Sequence, residues 1–176
     1  MINGVDRPVR MDRSGFVAVA ALIMVVLAVL MFASPFLSPY GAYTGLDGNV
    51  GFIDHDWGAK DLMYLLGDLF CHQEDSRCLH LNGSQLPFCL RDMGIITGLA
   101  AGFVASYPLG PRMRDRRFAY AAVVLVLTTL AEWIAEGFVG DMPVLRTATG
   151  FLAGFGAALF LVWLLYKDGS DGQART

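Results

Sequence analysis

Four long apolar stretches, separated by polar segments, dominate the pattern of hydrophobic and polar positions along the chain. Residues 15–33 are all apolar or small. At about 1.5 Å per residue they rise roughly 28 Å, close to the roughly 30 Å hydrocarbon core of a bilayer. Transmembrane helices are predicted at about 15–36, 88–109, 117–139 and 146–166. The pattern therefore predicts an all-α integral membrane protein, a single membrane domain over residues 1–176.

The long loop between the first two predicted helices, residues 37–92, contains one further apolar segment. Residues 58–70 have a helical pattern in which Lys60, Asp61 and Asp68 interrupt apolar positions. Because this segment is too short to cross a bilayer, we predict an interfacial or re-entrant helix. The tail at 168–176 is rich in small and polar residues and is predicted to be disordered.

The composition agrees with a membrane protein. Hydrophobic residues make up 55% of the chain and charged residues 16%, whereas soluble domains carry about a quarter charged residues. The net charge of −3 gives no electrostatic case for nucleic-acid binding. The lipid bilayer is the expected partner, and a homo-oligomer or a larger membrane complex stays open.

The charged residues are sorted between the loops. Four arginines lie between residues 112 and 117, and three more lie among residues 7–13, whereas the long loop is rich in acidic residues. Basic residues next to transmembrane helices favour the cytoplasmic side. We therefore predict a multi-pass protein of the cell membrane with cytoplasmic N- and C-termini and an extracytoplasmic loop 37–92.

All three cysteines and two of the three histidines lie between residues 71 and 89. Sulfur and imidazole are the preferred ligands of zinc, and a carboxylate is a harder alternative. Four ligands would form a structural site, whereas three would leave a position open for catalysis. The third histidine, His55, is predicted to be a solvated loop residue. The candidate metal ligands, with zinc as the expected metal, are Cys71, His72, Cys78, His80, Cys89 and Asp92.

The same cysteines permit two other interpretations. In an extracytoplasmic loop, two of the three could form a structural disulfide, as in a non-catalytic subunit of a membrane complex. Alternatively, the thiols could take part in quinone-linked redox chemistry. That chemistry usually needs two closely spaced cysteines, but the third position after Cys89 is Asp92. No hydrolase motif is present, and the sequence leaves open whether the protein is an enzyme.

Two carboxylates interrupt the third predicted helix. Glu132 and Glu136 lie on one helix face, at the outer level where Arg91 and Arg146 enter the neighbouring predicted helices. Buried charges in a bilayer are costly. These four charged residues therefore indicate either structural ion pairs or a polar pocket below the loop 37–92, which contains the cysteines and histidines. These four residues are the catalytic candidates. Glu132, the deeper carboxylate, is the preferred general base for a metal-bound water.

The motifs around these cysteines resemble the hallmark of an uncharacterised family. Cys71-His72-Gln73, Arg77, Gln85-Leu86-Pro87-x-Cys89-x-Arg91 and Gly94 are similar to those of small polytopic membrane proteins that carry only a "domain of unknown function" label. The resemblance extends through Leu145-Arg146 and Thr149-Gly150, and so covers about residues 60–160.

The resemblance implies a ligand set but no activity. The family's usual Pro-x-Cys-x-Arg-Cys-x-Gly motif, together with Cys-His-Gln, resembles a Cys₃His zinc site. This sequence has Asp92 where the family has the last cysteine. The substitution implies either a zinc site with one oxygen ligand or a site that is not for zinc, and Cys78 and His80 are the substitute ligands.

Overall fold

The structure is a computed structural model, and it describes residues 12–167. The tail predicted to be disordered and the first eleven residues lie outside this range. Five α-helices and one two-stranded sheet form the described part of the chain. The helices are α1 (Arg13–Ala33), α2 (Leu62–Phe70), α3 (Leu90–Ser106), α4 (Arg116–Val139) and α5 (Pro143–Lys167). The strands are β1 (Cys78–Leu81) and β2 (Ser84–Cys89), and short 3₁₀ turns occupy Ser34–Phe36, Ala59–Asp61, Asp75–Arg77 and Tyr107–Arg114.

Four of these helices are long and apolar enough to cross a membrane. With their 3₁₀ extensions, they cover Arg13–Phe36, Leu90–Arg114, Arg116–Val139 and Pro143–Lys167. Their large apolar side chains point outward, as Leu22 of α1 does with 64% of its surface exposed. An outward apolar surface is suited to lipid rather than water. The predicted four-helix membrane architecture is confirmed.

Helices α3 and α5 form the centre of the molecule. Helix α1 packs on α3 and α4 packs on α5, so that the spatial order is α1, α3, α5, α4. A Cβ atom on Gly98 of α3 would collide with the backbone of Phe151, and one on Gly154 of α5 would collide with the backbone of Ile95. Small residues at such positions let the helix backbones approach closely. The glycines that recur every four residues, Gly94, Gly98 and Gly102 in α3 and Gly150 and Gly154 in α5, thus serve helix packing.

The outer segment, residues 37–89, covers one end of the membrane helices. Its strands form an antiparallel hairpin that pairs Cys78 with Cys89 and Leu81 with Ser84. Asn82 and Gly83 make the turn, and both have positive φ angles of 50° and 67°. This hairpin was not among our predictions, which had a loop here.

Helix α2 is shorter than predicted, because the chain over Ala59–Asp61 forms a 3₁₀ turn. The helix buries Met63, Tyr64 and Gly67 and packs against β2. Below the hairpin, Leu86 and Met31 are fully buried and join β2 to the outer end of α1. The outer segment is therefore anchored on both α1 and α3, and its cysteines lie directly above the membrane helices.

Candidate metal centre

Three side chains meet where the outer segment joins α3. Cys71 directly follows α2, Cys89 ends β2, and Asp92 lies in the first turn of α3. Their two sulfur atoms and one carboxylate oxygen all lie within 4.8 Å of one another. Within residues 12–167 no other group of three such side chains has this geometry. The end of α2, the end of β2 and the first turn of α3 thus position one ligand atom each.

Hydrogen bonds connect the three groups. The backbone N–H of Cys89 donates to the Cys71 sulfur at 3.2 Å, and the Cys89 thiol donates to an Asp92 oxygen at 3.1 Å. All three cysteines are free thiols in the described structure. The three ligand atoms are thus held close together by direct contacts within the cluster.

The three thiols differ in acidity. A hydrogen bond from the Cys71 thiol lowers the pKa of Cys89. The same bond, together with burial, raises the pKa of Cys71. Burial raises the pKa of Cys78 to about 12. Cys89 is therefore the first of the three to become a thiolate, the form that binds metals.

Two buried glutamines hold the segment after Cys71 against the strand that leads to Cys89. The Gln73 side-chain amide donates to the carbonyl oxygen of Pro87 at 2.9 Å and to that of Tyr64 at 3.3 Å. Gln85 donates in turn to the backbone carbonyl of Gln73, and its own carbonyl accepts from Leu46 at 3.1 Å. These bonds fix the separation of the two cysteines. In the sequence, both glutamines stood out only as members of the family motif, and their structural role was not predicted.

The remaining predicted ligands lie outside the cluster. The His72 ring faces the carbonyl oxygen of Gly48 at 3.3 Å, and His80 pairs with Asp75 at 3.0 Å. Cys78 is buried opposite Cys89 in the hairpin, but its sulfur is not part of the converging group.

His55 lies in a loop, as predicted, but its side chain is only 29% exposed and is held by polar contacts rather than free in solvent. Its ring nitrogen Nδ1 lies 3.1 Å from the fully buried carboxylate of Asp68, which also accepts a 2.6 Å hydrogen bond from Trp57. His55 is therefore part of a polar network that closes the outer segment, a role that its two acidic neighbours in sequence concealed.

An ion-pair network joins α3, α4 and α5 beside the cluster. Arg91 contacts Glu132 at 2.8 Å and Glu136 at 2.9 Å, and Arg146 contacts Glu136 at 2.7 Å. Asp141 is a further partner of Arg146. The predicted pairing of these charges is confirmed, whereas their catalytic role stays a prediction. Glu132 Oε1 and Arg91 Nε are buried and have no partner in the described part of the chain.

A polar cleft of about 260 Å³ opens above the cluster. Its walls include the three converging residues, the exposed side chain of Phe70 and both arginines of the ion-pair network. Neither Glu132 nor Glu136 lines this cleft. The arginines thus separate the carboxylates of α4 from the space next to the cysteines.

The fold and the cluster define a multi-pass membrane protein with four membrane-spanning helices and a Cys/Asp centre at one end. The chain belongs to the family of predicted membrane proteins named DUF2085, which it matches over residues 71–160. The expected membership of an uncharacterised membrane-protein family is confirmed.

A relative of the same kind occurs in an archaeon. The chain is 28% identical over 155 residues to the uncharacterized protein MJ1492 of Methanocaldococcus jannaschii. The match covers 83% of this chain and 92% of that protein. No solved structure matches the chain.

Proposed function

We propose that the protein binds a zinc-like divalent metal ion through Cys71, Cys89 and Asp92. The observation that carries the proposal is the convergence of two sulfur atoms and one carboxylate oxygen within 4.8 Å. Sulfur and carboxylate oxygen both occur among the ligands of protein-bound zinc. The carboxylate of Asp92 takes the position at which the family motif has a third cysteine, so it would replace that sulfur as a ligand.

The charge balance around the site supports a bound cation. All three groups carry negative charge when deprotonated, and they lie close together and partly or fully buried. The arginines that line the cleft are already paired, Arg91 with Glu132 and Glu136, Arg146 with Glu136, and Arg77 with Glu74. A divalent ion would supply the missing positive charge and allow both thiols to ionise.

The proposed ligand set is that of an open site. Three protein ligands leave one position of a tetrahedral zinc ion free, as in catalytic zinc centres. The polar cleft above the cluster gives access to that position, and His72 lines it. A metal ion there would act as a Lewis acid. Glu132 and Glu136 form ion pairs with the arginines of the cleft wall. The general-base role of Glu132 remains a prediction.

Metal analysis of the detergent-purified full chain tests the proposal. We expect about one zinc per chain in the wild type and in Cys78→Ser, and less than about a tenth of that in Cys71→Ser and Cys89→Ser. Cys78→Ser is the matched control because Cys78 belongs to the same hairpin but lies outside the cluster. Retention of zinc in Cys71→Ser would contradict the proposed ligands.

Thiol titration of the same preparations distinguishes the redox alternative. The adjacency of Cys71 and Cys89 is the observation that favours it. If the wild type contains no metal and quinone converts this pair to a disulfide while the quinone becomes quinol, the site is a dithiol redox centre. Two free cluster thiols in the metal-stripped protein, unchanged by quinone, exclude that reaction.

We also propose that the outer segment faces the extracytoplasmic side. The arginine-rich turn Tyr107–Arg114 and the start of α4 lie at the opposite end of the helices. Because basic residues next to membrane helices favour the cytoplasmic side, this arrangement supports an extracytoplasmic outer segment. A membrane-impermeant maleimide should label Phe52→Cys, a 67% exposed position, in intact cells. It should label Pro111→Cys only after the membrane is permeabilised, with the parent chain as background. The reverse labelling would invert the topology.

A further inference from the structure

A second, apolar groove reaches the candidate metal centre from the membrane side. It has a volume of about 530 Å³ and lies between α1, α2 and α3. Leu27 lines it from α1, Leu66 from α2 and Ile96 from α3. At its end lie Asp92 and Phe70, which also line the polar cleft. The candidate metal ligand Asp92 is therefore reached both from the aqueous cleft and from the groove.

The physical character of the groove identifies what fits it. Its volume is within the roughly 300–1,000 Å³ typical of small-molecule sites. Two of its walls belong to membrane-spanning helices, so lipid-soluble molecules reach it directly. Apolar walls stabilise hydrocarbon, by about 0.8 kcal/mol per buried methylene group, and offer nothing to a small water-soluble substrate. Among residues 12–167, Asp92 is the only ionisable side chain along the groove, at the end next to the two cysteines.

We propose that the substrate of this centre is a membrane amphiphile with a single apolar chain and an oxygen-bearing head group. The chain would lie in the groove along Leu27 and Ile96, and the head group would reach the open position of the metal. Phe70, which is 69% exposed at the junction of groove and cleft, would contact the first part of the chain. The inference rests on the proposed metal site for the head group, but the chain-binding groove stands independently of it.

Photolabelling of the zinc-loaded full chain tests the groove. The probe is palmitic acid with a photoactivatable diazirine in its chain, and the readout is the labelled fraction by intact-protein mass. We expect labelling that excess palmitate competes away and that falls about tenfold in Leu27→Trp, the effect of displacing about two buried methylene groups. Leu22→Trp is the matched control, because Leu22 lies on the same helix and is exposed.

The outcomes separate the groove from the metal site. Labelling that palmitate does not compete, or that is the same in Leu27→Trp as in the wild type, overturns the proposed chain site. If competition is seen but palmitate binds equally well with and without zinc, the head group does not reach the metal and the substrate assignment is wrong. A wild-type chain that binds no zinc but shows competable labelling contradicts the proposed metal ligands and the head-group contact, and leaves only the chain-binding groove standing.

Discussion

At Gly67 of α2, a Cβ atom would collide with the side-chain amide of Gln73 and with the carbonyl oxygen of Pro87. The absence of a side chain lets α2 approach these groups while Gln73 donates its 2.9 Å hydrogen bond to Pro87. Cys71 lies two residues before Gln73, and Cys89 lies two residues after Pro87. A single helical glycine therefore controls the geometry of the candidate metal centre without touching it.

We expect Gly67→Ala to destabilise the protein by about 1–3 kcal/mol, because overpacking forces the buried amide away from its partner. Zinc affinity should fall with it. Gly137→Ala in α4 is the matched control, since nothing lies within 4 Å of its Cβ position and alanine favours the helix. Thermal unfolding in detergent measures the stability of both variants, and metal analysis measures their zinc content. An unfolding temperature of Gly67→Ala equal to that of the wild type would contradict this role.

At the same scale, the sequence could supply the candidate ligands but not select among them. Clustering in the sequence marked six residues, and the structure brings together Cys71, Cys89 and Asp92. The selection depends on hydrogen bonds made by Gln73 and Gln85, two uncharged residues with no ligand chemistry of their own. Sequence spacing alone does not show which of the three cysteine sulfur atoms these hydrogen bonds bring into the cluster.

Among the elements, the hairpin is the one that sequence reasoning missed. Asn-Gly is a strong signal for a two-residue hairpin turn, because both residues tolerate positive φ. Asn82 and Gly83 adopt this conformation. The signal was obscured since Ser84 to Phe88 of β2 are all buried, so the usual alternation of polar and apolar residues is absent. The long helices were predictable because each contains a long stretch of mainly apolar residues, even where a few charges interrupt it.

Gly83→Ala should weaken the hairpin more than an alanine at another left-handed glycine. Its φ is +67°, and a Cβ atom there would collide with the Tyr40 ring. Gly45 has a nearly equal φ of +65° in open space, so Gly45→Ala isolates the backbone strain of about 1–2 kcal/mol. Hydrogen exchange of the strand amides measures the difference. Equal protection in the two variants would show that contact with Tyr40 is unimportant.

For the whole molecule, the ion-pair network is the feature that fixes three helices relative to one another. Arg91 lies in the first turn of α3, Glu132 and Glu136 lie on α4, and Arg146 lies near the start of α5. Glu132 and Arg146 are only 3% and 4% exposed, so the surrounding protein shields their charges from water. The depth of each residue in its helix made this meeting predictable, because helix rise is constant.

Removing one member of this network should therefore leave an uncompensated buried charge. We expect Arg91→Met to destabilise the protein by about 3–5 kcal/mol, and the double variant Arg91→Met/Glu132→Gln to lose less than the sum of the single losses. Arg117→Met should leave stability unchanged, since the Arg117 side chain is 92% exposed and 3.8 Å from Asp115. Unfolding free energies in mixed detergent micelles test this cycle. Additive losses would show that Arg91 and Glu132 act separately, and the arginine would then serve the polar cleft rather than the link between α3 and α4.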